Sequence, residues 1–166
     1  MPATPDDLIA TLADLGIASR TVEHPAVFTV EQSRELRGTI PGAHTKNLFL
    51  RDNKRRFYLV TLDEERAVNL KALRHPIGAK GGLSFASPEA LLEHLGVEPG
   101  SVSPLALVND TGRVVTVVLD AALLRAEFVN VHPLINTRTT SLRPDDLMAF
   151  LRHTGHEPLM LDLDAG

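Results

Sequence analysis

Three short stretches of this sequence carry residue types that could do chemistry. Lys46-Asn47 opens a run of strand-forming residues, and a lysine there could hold a phosphate or a carbonyl oxygen as a point charge. Gly100-Ser101-Val102-Ser103-Pro104 is a tight glycine–serine loop whose backbone N–H groups could face an oxyanion. His132-Pro133 closes another apolar run, and a histidine there could be a hydrogen-bonding post or a general base. Each has a plainer reading. Lysines are mostly surface residues, glycine after a helix is ordinary punctuation, and a histidine before proline can simply terminate a strand.

Other chemistries fail on spacing. Gly78-Ala-Lys80-Gly-Gly lacks both the spacing and the Ser/Thr of a phosphate-binding P-loop. There is no G-x-S-x-G elbow and no Gly-x-Gly-x-x-Gly after a strand. His153 and His156 have Gly155 between them and no partner glutamate in zinc-protease spacing. The chain has no cysteine, which removes disulfides, zinc–thiolate sites and a thiol nucleophile.

Charge is unevenly spread. Residues 46–80 hold nine basic groups (Lys46, Arg51, Lys54, Arg55, Arg56, Arg66, Lys71, Arg74, Lys80) against four acids, although the whole chain has a formal charge of −4. An acidic body with one basic surface suits an anionic partner. The alternative is a solvated hairpin whose cations guard a sheet edge.

The elements that must position these residues can be read along the chain. Thr4 can cap a helix that starts at Pro5, buries Leu8, Ile9, Leu12 and Leu15, and ends at Gly16. Arg20–His24 reads as a strand, and the Thr29/Gln32 spacing predicts a helix over Val30–Arg37. Lys46–Arg51 and Arg56–Leu62 form a hairpin around Asp52-Asn53-Lys54-Arg55. A short helix over Asn69–Arg74, a loop over Ala79–Gly82 and a helix from Ser87-Pro88 to Leu95 follow. Leu105–Val108 and Arg113–Leu119 read as a second hairpin, apolar on both faces and so central in a covered sheet. Phe128–His132, Thr139–Leu142 and Leu159–Leu163 are further strands, with a helix from Pro144 to about His153. Helices and strands alternate without a βαβ period, so the fold class is mixed α/β (α+β). At 166 residues, 43% hydrophobic and 23% charged, one domain over residues 1–166 is expected. The longest apolar stretch, Val114–Leu124, is broken by Thr116 and Asp120, too short for a membrane span. Met1–Leu15 carries three acids and no basic residue, unlike a signal peptide, so a cytoplasmic location is expected.

Four stretches, in order over nearly the whole chain, carry a resemblance. They are Thr45-Lys-Asn-Leu-Phe-Leu-Arg51, Gly78-Ala-Lys-Gly-Gly-Leu-Ser-Phe-Ala-Ser-Pro88, Gly96-Val-Glu-Pro-Gly-Ser-Val-Ser-Pro-Leu105 and Val131-His-Pro-Leu-Ile-Asn-Thr-Arg-Thr-Thr-Ser141. Together they resemble the YbaK-like, prolyl-tRNA synthetase-associated editing family. The second and fourth are similar to its free-standing branch of Ala-tRNA(Pro) deacylases, the ProXp-ala type. The resemblance implies a curved mixed β-sheet packed by helices, and hydrolysis of the ester joining a wrong amino acid to the 3′ adenosine of a tRNA. It implies no metal and no organic cofactor. Catalytic roles fall on Lys46, Gly100 and Ser101, and substrate-binding roles on Asn47, His132, Ser103 and Pro104, with His132 shaping an alanine pocket. Arg51, Lys54, Arg55, Arg56 and Lys80 then read as tRNA-binding residues. The partners are the acceptor end of tRNA(Pro) and, secondarily, prolyl-tRNA synthetase. The alternatives are editing of Ser or Cys on tRNA(Pro), and a non-catalytic tRNA- or synthetase-binding module of the same fold.

Overall fold

The computed structural model describes residues 2–26, 34–35 and 38–162. Helix α1, Pro5–Asp14, begins as its sequence requires: Thr4 Oγ1 accepts the Asp7 N–H (3.1 Å), and the Asp7 carboxylate accepts the Thr4 N–H (3.0 Å). The helix expected over Val30–Arg37 lies outside the described residues except for Arg34 and Glu35.

The scaffold is a mixed eight-stranded sheet. Its strands are β1 (Arg20–Glu23), β2 (Ala43–Arg51), β3 (Phe57–Asp63), β4 (Ser84–Phe85), β5 (Val115–Asp120), β6 (Val129–Val131), β7 (Arg138–Leu142) and β8 (Leu159–Leu161), in spatial order β1-β7-β6-β2-β3-β5-β8. The expected first hairpin is present as β2–β3, antiparallel from Thr45 opposite Asp63 to Arg51 opposite Phe57. Strand β5 lies parallel between β3 and β8. β2 has three partners: β3 along most of its length, β6 in parallel at its start, and β4 antiparallel at its end.

Helices α2 (Leu70–Leu73), α3 (Pro88–Leu95) and α4 (Pro144–His153) join α1 around the sheet. Both faces are covered. Leu59 and Val117 join a large core with Leu8, Leu12, Leu95, Leu105 and Phe150, while Val60 and Val118 join a smaller one with Leu50, Leu62, Leu73 and Ile77. That two-sided burial explains why β3 and β5 read as continuous apolar runs.

The second expected hairpin is corrected. Leu105–Val108 is not a strand; Pro104–Asn109 is a 3-10 helix. Ser103 Oγ accepts the Leu105 N–H and Pro104 takes the first position, which together start a helical turn. A run of four apolar residues carries no period that could tell the two apart. Asp110, buried, then turns the chain into β5 by accepting the N–H groups of Val114 and Val115.

Candidate functional site

Lys46 is the fourth residue of β2, not its first. It lies opposite Leu62 of β3, and its Nζ donates to the Arg66 carbonyl. Arg66 Nε in turn reaches Asp120 Oδ2 at 3.1 Å. The Asp120 carboxylate is fully buried and also accepts the N–H groups of Asp63 and Ala122. A buried acid at the end of β5 thus fixes the loop whose carbonyl holds the lysine.

The pleat sends the sequence neighbours Lys46 and Asn47 to opposite faces of β2. Asn47 shares its face with Phe49 of the large core, and its Oδ1 accepts the Thr61 hydroxyl at 2.6 Å. Lys46 shares its face with Leu48 and Leu50, beside the small core. The structure separates two residues that the sequence sets side by side.

The parallel β2–β6 pairing, Ala43–His44 opposite Val129–Asn130, brings the segments that carry Lys46 and His132 toward each other. His44 lies opposite Asn130, and Lys46 and His132 each follow two residues further along. His132 is half-buried, and its Nδ1 lies 3.0 Å from the Arg138 carbonyl. A carbonyl only accepts, so Nδ1 carries the proton and Nε2 of the neutral ring keeps a lone pair. Burial, above all, lowers the pKa of this histidine below its ordinary value; the Arg138 carbonyl opposes that, nearby His24 adds to it, and Glu64 opposes it. His24 is fixed in the same tautomer: Nδ1 donates to the Pro25 carbonyl and Nε2 accepts from the Thr139 hydroxyl, both at 2.8 Å. His24 and Glu64 are neighbours of the site that no spacing in the sequence reveals.

The Gly100–Pro104 loop reaches the same turn. Gly100 has φ +91°, which glycine adopts without strain. A Cβ placed on it would sit 3.4 Å from the Asn136 side-chain amide, four residues after His132. Ser101 N–H donates to the Glu98 carbonyl at 3.0 Å. Ser103 and Pro104 are buried and build the 3-10 helix. The backbone N–H groups of Gly100, Val102 and Ser103 have no acceptor among the described residues, so any carbonyl-polarising donor in this loop comes from them rather than from Ser101. His156 is spent elsewhere, its ring nitrogens 2.8 Å from Asp110 Oδ2 and from Thr154 Oγ1.

The expected tRNA-binding cations gather at the other end of β2, about 17 Å from Lys46 at 3.3–3.4 Å per residue. Arg51, Lys54, Arg55, Arg56 and Lys80 are all exposed there. What the sequence hides is their hub. Asp52 is buried, and its carboxylate accepts the N–H groups of Lys54 (2.9 Å), Arg56 (3.0 Å) and Lys80 (3.0 Å), the Arg56 Nε (3.1 Å) and the Tyr58 hydroxyl (3.1 Å). Burial alone would raise its pKa; these donors outweigh it and hold the carboxyl well below the ordinary range. Arg56 also reaches the Gly78 carbonyl (3.1 Å), so one acid ties the hairpin tip to the glycine loop at residues 78–82.

Among the described residues no helix is long and apolar enough to cross a membrane. A model of the aminoacyl-tRNA editing domain matches residues 24–150. The chain is 44% identical over 157 residues to prolyl-tRNA synthetase associated domain-containing protein 1 of Bos taurus, covering 92% of this chain and 91% of that protein. It is 37% identical over 150 residues to the prolyl-tRNA editing protein ProX of Acetoanaerobium sticklandii, covering 90% and 91%. Its fold is like that of a solved structure reported as "Crystal structure of a putative trans-editing enzyme for prolyl tRNA synthetase", with a TM-score of 0.72 at 22% identity over 98% of this chain and 99% of that one.

Proposed function

Because the chain belongs to the aminoacyl-tRNA editing domain family, we propose that it is a free-standing deacylase that hydrolyses mischarged Ala-tRNA(Pro). The observation that carries this reading is the parallel β2–β6 pairing, which sets the strand bearing Lys46 beside β6, whose last residue, Val131, precedes His132.

The physical need is clear. A synthetase site that accepts proline cannot reject the smaller alanine by size, because missing methylenes cost only about 1–3 kcal/mol of discrimination each. A second, smaller pocket can admit alanine and exclude proline. His132, rigid through its bond to the Arg138 carbonyl, serves as a wall of that pocket. Lys46 holds the terminal adenosine or its phosphate. The unpartnered N–H groups of the Gly100–Ser103 loop polarise the ester carbonyl.

The aminoacyl ester is an activated bond, and water is the nucleophile. Water oxygen bonds to the carbonyl carbon while the neighbouring ribose 2′-hydroxyl relays its proton. The bond from that carbon to the 3′ oxygen then breaks, and the 3′ oxygen takes the proton. Free alanine and tRNA with an intact 3′-hydroxyl result. Positioning alone can supply several kcal/mol of such a barrier.

The test is a panel of Ala-, Ser-, Cys- and Pro-tRNA(Pro) incubated with the pure protein. Alanine release well above the others is expected, undiminished by EDTA, and abolished when the tRNA ends in 2′-deoxyadenosine acylated at the 3′ position. Preferred release of Ser or Cys would reassign the substrate. A mobility shift of tRNA without release would make the protein a binding module.

A further inference from the structure

The window of positive charge extends beyond the hairpin tip. Lys71 and Arg74 of the α2 region, with His75, line a concavity of about 550 Å³ together with Leu70, Gly82 and Leu83. No acid lines it, and none of the three cationic or imidazole side chains takes part in an ion pair among the described residues. Two residues along the chain from Leu83 of its lining, Phe85 is 63% exposed, whereas Phe49 and Phe150 are buried in the core. Leu83 immediately precedes β4, so at most about 7 Å of chain separates Phe85 from the lining of the concavity. Phe85 lies opposite Leu50 of β2, which puts it on the face of β2 that also carries Lys46, four residues away or about 13 Å.

An exposed ring next to an acid-free cationic hollow is the pairing that single-stranded RNA needs, a flat surface for a base and charge for its backbone. We propose that Phe85 stacks on an unpaired base of the tRNA 3′ end, while Lys71 and Arg74 hold an adjacent phosphate in the concavity. This rests on the tRNA reading above and adds a second anchoring point, away from the hairpin tip.

The experiment measures binding of uncharged tRNA(Pro) by fluorescence anisotropy across a salt series, alongside thermal melts of each variant. Phe85→Ala should weaken binding about tenfold with an unchanged salt slope, since stacking releases no counterions. Phe85→Trp should bind as tightly as the parent. Lys71→Ala with Arg74→Ala should weaken binding and flatten the slope of log K against log salt by about 0.7, the value for one phosphate contact on a single strand. For tRNA trimmed of its unpaired 3′ nucleotides, Phe85→Ala and the parent should bind equally. As a control, Met160→Ala, at another exposed apolar residue, should bind as the parent does. Parent-like binding by Phe85→Ala or Phe85→Leu would overturn the stacking assignment, and so would equal loss on trimmed tRNA. Because the readout is binding of uncharged tRNA, its failure leaves the deacylation panel standing, and failure of that panel leaves this surface standing.

Discussion

Replacing Asp52 by asparagine changes one group at the hub of the hairpin tip, and its cost can be worked from the hydrogen bonds there. Oδ1 accepts the Lys54 and Arg56 N–H groups, and an amide oxygen can still do so. Oδ2 accepts the Lys80 N–H, the Arg56 Nε and the Tyr58 hydroxyl, and an NH2 in its place faces three donors. Tyr58 can turn its hydroxyl and accept instead, and the half-exposed Arg56 side chain can find water. The Lys80 N–H is left without an acceptor, at about 1–3 kcal/mol, and the two retained bonds lose charge assistance, at about 0.5–1 kcal/mol each. The total is about 3 kcal/mol, or a fall in Tm of about 6–12 °C for a chain of this size. The pH dependence follows from the lowered pKa. An acid whose folded pKa lies below its unfolded value of 3.8 contributes stability that is present above that value and lost as pH falls below it. Asp52→Asn should remove that acid limb, and it should also weaken tRNA binding by loosening the loop that carries Lys80. Thermal melts from pH 7 to pH 3 read the first two effects and anisotropy the third. A loss under about 1 kcal/mol, or an unchanged acid limb, would refute the account of Asp52 as the tip's organising charge.

The remaining predictions concern the chemistry. Lys46→Ala should lower kcat/KM for Ala-tRNA(Pro) at least about thirtyfold, about 2 kcal/mol of transition-state stabilisation; near-normal turnover by the folded variant would remove Lys46 from the mechanism. Gly100→Val forces a β-branched residue to φ +91° and should lose kcat while keeping most tRNA affinity, with Gly100→Ala intermediate; equal kcat would make the glycine mere helix punctuation. His132→Ala should relax the preference for alanine over larger amino acids more than it slows release; loss of all activity with selectivity intact would mark a catalytic base instead. The folded pKa of His132 lies below its unfolded value of 6.5, so its contribution to stability is present above that value and lost as pH falls below it; Tm of His132→Gln should fall less between pH 7.5 and 5 than that of the parent.

The local grammar of the chain was legible wherever one residue decides the matter. Thr4-Pro5, Asn69 and Ser87-Pro88 marked helix starts that the structure keeps, each capping with its own side chain. The turn at Asp52–Arg55 gave the right hairpin, but the turn runs one residue longer, through Arg56, so that Arg51 lies opposite Phe57. Leu105–Val108 failed because its burial is two-sided, which erases periodicity. Of the site residues, Lys46 and His132 were nameable, but the parallel pairing that sets their segments side by side joins strands more than eighty residues apart in sequence, and no local pattern encodes that. Asp120 and Asp52 were read as an interruption and a turn residue. Their roles as buried acceptors appear only once several segments converge on them.

The three partners of β2 have a kinetic consequence. On the function proposed above, one strand bears both Lys46 and Arg51, so grip and chemistry would be joined by a fixed spacer rather than a hinge. Grip of this kind reads phosphates, which correctly charged and spent tRNA carry as well as the mischarged species. Such species compete for the same strand, and the product leaves with every phosphate contact intact. On that function, release of spent tRNA, sped by salt and slowed by extra positive charge at the tip, would set the ceiling on turnover. Strengthening the grip would lower KM and, past that ceiling, lower kcat with it.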